Sequence, residues 1–186
     1  MNRSIAQLYP ETQHYILDTK HDGDFDHYPN VIQSNNAPNR MKPKDKYQVW
    51  QPFLKIPEEI EKWLWMIYNS PPALVWINEL FALKYKGVGN YSDMYAVIQT
   101  AGRTRPITSI AETQKLGKIP IDAIEQATHR LGFYMEGTYN KYVRSEMLKG
   151  EKVPQPVDNY GFHYQHVNGR GEPQYYRDIQ EFLRMR

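Results

Sequence analysis

The stretch from Ile56 to Leu83 limits most strongly what this chain can fold into, because it holds three of the four Trp residues. Its first half begins with Pro57, which suits the first position of a helix, where the missing N–H would be unpaired in any case. Apolar residues then recur on one helical face: Ile60, Trp63, Leu64, Ile67 and Tyr68. This spacing predicts a helix that ends before Pro71-Pro72.

The second half of the stretch is apolar nearly all round, which is typical of a buried helix. Ser70 is placed to cap this second helix, and Gly87 is placed to end it. Its apolar members are Leu74, Val75, Trp76, Ile77, Leu80, Phe81 and Leu83. The two halves together predict a helical hairpin over residues 57–86. A membrane-spanning helix is not expected, because two prolines and several polar residues interrupt the run.

A seam of residues at three- and four-residue spacing predicts the longest helix, over residues 119–149. Residues 1–55 and 150–186 are rich in Pro and aromatic residues but show little periodicity, so they are predicted to be extended arms, the second ending in a short helix. The predicted fold class is therefore mostly α. A small core of four or five helices, residues 56–149, lies between an N-terminal arm and a C-terminal tail.

Composition excludes several classes of site. The chain has no Cys, which removes disulfides, thiol catalysis and Cys-based zinc sites. Its formal net charge is +2, so nucleic acid is not an expected partner. The N-terminal residues contain no apolar h-region, so no secretory signal is expected.

Motifs that carry chemistry are also missing. The sequence contains neither the phosphate-binding pattern GxxxxGK[ST] nor the nucleophile pattern GxSxG. Three carboxylates have calcium-loop spacing, but the Gly and Glu that such a loop needs at positions 6 and 12 are absent; the three are Asp22, Asp24 and Asp26. His163 and His166 lack a third ligand for zinc. The sequence thus predicts no catalytic residue, no cofactor and no metal site, and the protein is predicted not to be an enzyme.

Seven residues follow the pattern I-P-x-E-x-x-x-W-L, six residues, then P-P; they are Ile56, Pro57, Glu59, Trp63, Leu64, Pro71 and Pro72. This pattern resembles the signature of a mitochondrial complex I family, the B17.2-type accessory subunit and its paralogous assembly factor, over residues 56–80. The resemblance implies a non-catalytic accessory subunit of the respiratory chain. Such a subunit would lie peripherally on the matrix side of the inner membrane, bound to other protein subunits.

The predicted interaction residues are aromatic residues, prolines and one leucine, since large rigid side chains anchor protein interfaces. They are Pro57, Trp63, Leu64, Pro71, Pro72, Trp76, Trp50, Tyr160, Tyr175 and Tyr176. Two other functions stay open. A structural component of a ribonucleoprotein or viral particle would bind phosphate through basic residues, namely Lys42, Lys44, Lys46, Arg103 and Arg105. An enzyme would need a site assembled from scattered residues, which sequence spacing does not reveal.

Overall fold

The computed structural model describes residues 12–85, 91–102, 104–114, 119, 121–133, 161–166 and 172–185. The chain forms two compact units, residues 1–114 and 115–186. Each unit has its own sheet. The division of the chain at residues 55 and 149 that the sequence suggests stays a prediction.

The first unit is built on a five-stranded parallel sheet. Its strands are β1 (Gln13–Asp18), β2 (Val31–Gln33), β3 (Tyr47–Gln51), β4 (Ala73–Asn78) and β5 (Ile107–Glu112), in the order β2-β3-β1-β4-β5. Every residue of β4 is buried, and so are the last five residues of β1. Parallel strands are covered on both faces, which explains why these strands read as almost continuous apolar runs.

Two helices connect the strands. The helix α1 (Pro57–Tyr68) joins β3 to β4, and α2 (Asp93–Ala101) lies between a 3-10 helix (Leu80–Leu83) and β5. The Trp63 ring of α1 packs edge-on against Tyr15 and tilted against Trp50, and its Nε1 donates to Gln48 Oε1 at 3.2 Å. The face of the sheet that carries Tyr15 and Trp50 is therefore the face that α1 covers.

The opposite face holds a second core cluster, formed by Ile16, Phe25, Val49, Leu74 and Trp76. Because side chains alternate along a strand, these sheet residues point away from α1. Phe25 comes from the loop between β1 and β2, and its ring packs edge-on against Trp76. That loop thus covers the face that the helices leave open.

The second unit contains α3 (Ile121–Glu125), β6 (His129–Phe133), β7 (Phe162–His166), β8 (Gln174–Tyr176) and α4 (Ile179–Arg184). Its three strands form an antiparallel sheet in sequence order. Buried Phe162, Tyr164 and Tyr176 form its core, with Phe182 of α4 packed against them. Aromatic residues that the sequence assigns to a tail are here the core of a small sheet.

The predicted mostly α fold was wrong, because the protein has an α/β sheet and an antiparallel sheet. The first helix of the hairpin is confirmed as α1. The second helix is wrong, since Ala73–Asn78 is the strand β4. A short apolar run fits a buried strand as well as a buried helix, and Val75, Trp76 and Ile77 are residue types that favour strands.

The predicted long helix and both predicted arms were also wrong. The helix over residues 119–149 is contradicted by α3, which has only five residues, and by β6; residues 134–149 lie outside the described part. The N-terminal arm is contradicted by β1 and β3, which are inner strands of the sheet. The C-terminal arm is contradicted by β7 and β8, although α4 does end it. In the described part of the chain, no helix is both long enough and apolar enough to cross a bilayer.

Candidate functional site

All five strands of the parallel sheet end on a polar residue. In the order of the sheet these residues are Gln33, Gln51, Asp18, Asn78 and Glu112. The register pairs Gln33 with Gln51, Asp18 with Asn78, and Asn78 with Glu112. We call this set the polar row. It lies at the carboxyl end of the sheet, on the face that the loop between β1 and β2 covers.

Asp18 is the centre of the polar row. Its side chain has no exposed surface, and each carboxylate oxygen accepts a hydrogen bond from a buried amide. Asn78 Nδ2 donates to Oδ1 at 3.0 Å, and Gln51 Nε2 donates to Oδ2 at 2.9 Å. The backbone N–H groups of Lys20 and His21 also donate to Oδ1. A buried carboxylate without a cationic partner is stabilised here by several donors.

Gln51 extends the row to the edge of the sheet and to the loop. Its Nε2 also donates to Asp26 Oδ1 at 3.0 Å, and its Oε1 accepts from Gln33 Nε2 at 3.0 Å. The loop between β1 and β2 is therefore tied to the strand ends through Asp26. Because all these groups are mutually satisfied, the row is a connected network with fixed side-chain positions.

Glu79 follows directly after the row, and its backbone is strained. Its φ is 85° and its ψ is 86°, in the positive-φ region that residues with a Cβ rarely adopt. Its carboxylate reaches the chain after β5: Oε1 accepts from Thr113 Oγ1 at 2.7 Å, and Oε2 accepts from the N–H of Gln114 at 3.4 Å. Strain of this kind clusters at functional sites, where neighbouring contacts maintain it.

Glu112 closes the row on the other side. Its Oε1 accepts from Trp76 Nε1 at 2.9 Å, and its Oε2 lies 3.9 Å from Lys20 Nζ. Burial raises the pKa of this carboxyl, the Lys20 charge and the Trp76 hydrogen bond oppose the rise, and the charges of Asp24 and Asp22 add to it. Burial therefore disfavours the charged form of this carboxyl, and the Lys20 charge and the Trp76 hydrogen bond partly offset that cost.

Open parallel sheets bind their ligands at the carboxyl ends of the strands. Here that end combines Asp18, Asn78 and Glu79 over two neighbouring strands. The described residues include no group of three His, Cys, Asp or Glu side chains that could hold a metal ion alone.

Comparison with solved structures finds proteins of similar fold. The DNA-packaging ATPase of Sulfolobus turreted icosahedral virus matches with a TM-score of 0.70 and 16% identity, over 95% of this chain and 87% of that chain. The genome packaging NTPase of Sulfolobus turreted icosahedral virus 2 matches in its complex with AMPPCP, with a TM-score of 0.61, 16% identity, and 91% and 98% of the two chains. The chain shares its fold with viral genome-packaging NTPases. No protein-family model matches the sequence, and no curated protein matches it significantly.

This likeness corrects the resemblance to the complex I family, which covered residues 56–80 and had its matching motif positions within residues 56–72. In the structure those residues form α1 and the turn before β4 of an α/β fold found in NTPases. A mitochondrial accessory subunit of the respiratory chain was therefore the wrong function, and the matrix side of the inner membrane was the wrong location. The prediction that the protein is not an enzyme was wrong as well, since the fold occurs in NTPases solved with nucleotide analogues.

The structure places most of the predicted interaction residues in the interior. Trp50, Trp63, Leu64, Trp76 and Tyr176 are buried. The partly or fully exposed ones are Pro57, Pro71, Pro72 and Tyr175. Tyr160 lies outside the described residues. Their role as interaction residues stays a prediction. Trp76 touches the site, through its bond to Glu112.

Sequence reasoning missed the residues of the polar row and Glu79. A signal was present in the pattern, since Asp18, Asn78 and Glu112 each end a six-residue strand. An apolar run that stops on Asp, or on the pair Asn78-Glu79, is typical of a strand whose carboxyl end carries a site. The run around β4 was instead assigned to a helix, which hid that signal.

Proposed function

We propose that this protein is an NTP-hydrolysing component of a viral genome-packaging machine, with its site at the carboxyl end of β1, β4 and β5. One observation carries the proposal: Asp18, Asn78 and Glu79 converge at that end of a sheet whose fold is shared with packaging NTPases. Those NTPases were solved with AMPPCP and with ATP-gammaS. Of the functions that the sequence left open, a component of a viral particle is the one that this proposal agrees with best.

Glu79 is the residue we assign to the attacking water. Phosphoryl transfer to water needs a group that orients the nucleophile, and a carboxylate can do this by accepting a proton in a hydrogen bond. Glu79 is partly exposed directly after β4, whereas the Asp18 carboxylate is fully buried and saturated with donors. Only the first of these two carboxylates can meet a water and a phosphate together.

The fold implies Mg²⁺ with the nucleotide, and the donor set fits it. Mg²⁺ prefers oxygen ligands and is usually held by one or two carboxylates together with substrate phosphates. Glu79 would face it through the water that it orients, whereas the Asn78 side chain is buried and bonded to Asp18. When bound, the ion supplies charge neutralisation on the β- and γ-phosphate oxygens.

The groups that would bind the nucleotide phosphates, the phosphate cradle, are not among the residues assigned above. The glycine-rich pattern GxxxxGK[ST] does not occur in these 186 residues. Any cradle in this protein is therefore built on a different pattern or from residues outside this sequence. The groups assigned here are those that orient water and face the metal.

Nucleic acid becomes an expected partner under this proposal, which replaces the expectation drawn from the net charge of +2. The related protein is named for packaging DNA. Protein subunits of the viral particle are the other expected partners. Association with DNA should weaken as salt rises, because phosphate contacts release counterions.

The test is ATP hydrolysis by the purified protein with Mg²⁺, with and without double-stranded DNA. We expect Glu79→Gln to lower the turnover number about 100-fold or more, the scale of losing a group that orients the nucleophile, with binding of a fluorescent ATP analogue unchanged. Glu58→Gln, on the exposed first turn of α1, is the matched control and should leave turnover unchanged. Wild-type protein that neither binds nor hydrolyses ATP would overturn the proposal. A rate of ATP hydrolysis that double-stranded DNA does not change would contradict the role in genome packaging.

A further inference from the structure

We infer that Thr113 is a positioning residue that decides which oxygen of Glu79 meets the water. This inference rests on the proposed function and deepens it. Thr113 follows β5 directly, and the register of β4 and β5 places Glu112 beside Asn78. The residues after these two strand ends, Thr113 and Glu79, are therefore neighbours across the sheet.

The hydrogen bond between them is short and is made to a charged group. Thr113 Oγ1 donates to Glu79 Oε1 at 2.7 Å. Bonds from a hydroxyl to a carboxylate are shorter and stronger than bonds between neutral groups. The Glu79 backbone is strained, so contacts of this strength are needed to keep it in place.

The two carboxylate oxygens of Glu79 are not equivalent. Each carboxylate oxygen offers about two acceptor positions. Oε1 accepts from Thr113 Oγ1 and from the N–H of Phe81 at 3.2 Å, so its positions are filled. Among the described residues, Oε2 accepts from the N–H of Gln114 alone, at 3.4 Å. Oε2 therefore keeps an acceptor position for the proton of the attacking water.

Thr113 fixes this difference between the two oxygens. Without its hydroxyl the carboxylate can rotate about its last bond and offer either oxygen, and the left-handed turn at Glu79 loses its strongest side-chain contact. β5 then no longer aligns the group that orients the water. The nucleotide, in contrast, would bind as before, because Thr113 itself is not required to touch it.

The experiment compares Thr113→Val with Thr113→Ser in steady-state ATP hydrolysis. Loss of one hydrogen bond to a charged group corresponds to about a tenfold to hundredfold fall in the turnover number. We expect that fall in Thr113→Val with KM for ATP unchanged, and recovery in Thr113→Ser, which keeps the hydroxyl. Thr108→Val is the matched control, because Thr108 is exposed near the amino end of the same strand. Glu79→Gln combined with Thr113→Val should lose no more than Glu79→Gln alone.

Amide hydrogen exchange at Phe81 gives a readout that does not need turnover. Its N–H donates to the same oxygen as Thr113, so Thr113→Val should speed its exchange while Thr113→Ser and Thr108→Val should not. An active wild type with an unchanged turnover number in Thr113→Val would overturn this inference alone. So would equal loss in Thr113→Val and Thr113→Ser. A wild type without binding or turnover would overturn the proposed function, and the inference with it.

Discussion

The two ends of the five-stranded sheet differ in chemistry although the same strands form both. At the amino end the strands begin with Gln13, Val31, Tyr47, Ala73 and Ile107. At the carboxyl end they stop on the polar row of Asp18, Gln33, Gln51, Asn78 and Glu112. A buried carboxylate bonded to two amides from neighbouring strands occurs at the carboxyl end. Direction along parallel strands therefore separates a structural end from an end that can carry a site.

The difference has a physical origin. Parallel strands all stop at the same end of the sheet, so their last side chains come together however far apart they are in sequence. Asp18 and Asn78 are bonded across 60 positions of chain. Where the chain leaves this end, its backbone is no longer held to the strand conformation. Glu79 illustrates this freedom, because it adopts a strained conformation one residue after a fully buried strand.

The largest effect should come from Asp18→Ala. The change removes the acceptor of the Asn78 amide and one of the two acceptors of the Gln51 amide in the interior, so the free energy of unfolding should fall by about 3 kcal/mol. Urea unfolding followed by Trp fluorescence measures it. Much of that loss comes from unsatisfied donors rather than from lost packing.

Gln13→Ala is the matched change at the amino end of the same strand. Its Nε2 donates to the carbonyls of Lys42 and Asp45, which are not deeply buried. The expected loss is only about 1 kcal/mol. Equal losses for Asp18→Ala and Gln13→Ala would show that stability depends no more on the buried polar groups at the carboxyl end than on those at the amino end.

Part of this fold could be predicted from sequence. The helix α1 could, because Pro57 at its start and apolar residues at helical spacing give a local signal that tertiary structure did not override. The strand β4 could not, because its five consecutive apolar residues are compatible with a strand or a helix until their neighbours are known. The inner positions of β1 and β3 were hidden for the same reason, since their partners are far away in sequence.

The site was less predictable than the fold. Asp18 and Asn78 meet only because β1 lies between β3 and β4, an order that no local pattern contains. The bond between Glu79 and Thr113 depends in addition on a left-handed turn after β4. Spacing can reveal motifs that lie within one loop, such as the missing phosphate loop. It does not reveal a site that five strand ends assemble.

A smaller effect is expected at the edge of the polar row. Gln33→Ala removes the hydrogen bond from Gln33 Nε2 to Gln51 Oε1, which is near the exposed edge of the sheet. Water can replace the lost donor there, so the free energy of unfolding should fall by only about 0.5 to 1 kcal/mol. Urea unfolding under the same conditions as for Asp18→Ala gives the comparison. A loss as large as that of Asp18→Ala would mean that the network depends on its edge as much as on its centre.

The smallest effect is a pH dependence at Glu112. Burial raises the pKa of its carboxyl in the folded protein, so the folded state binds more protons than the unfolded state between the two pKa values. Stability from this group is therefore present at low pH and is lost as pH rises through the folded-state pKa. Glu112→Gln keeps an oxygen for Trp76 Nε1 but removes the titration. The urea midpoint of this variant should rise relative to wild type as pH increases above about 4.3, the ordinary pKa of a glutamate side chain. Glu58→Gln should run parallel to wild type, and a parallel course for Glu112→Gln would contradict the assigned cause.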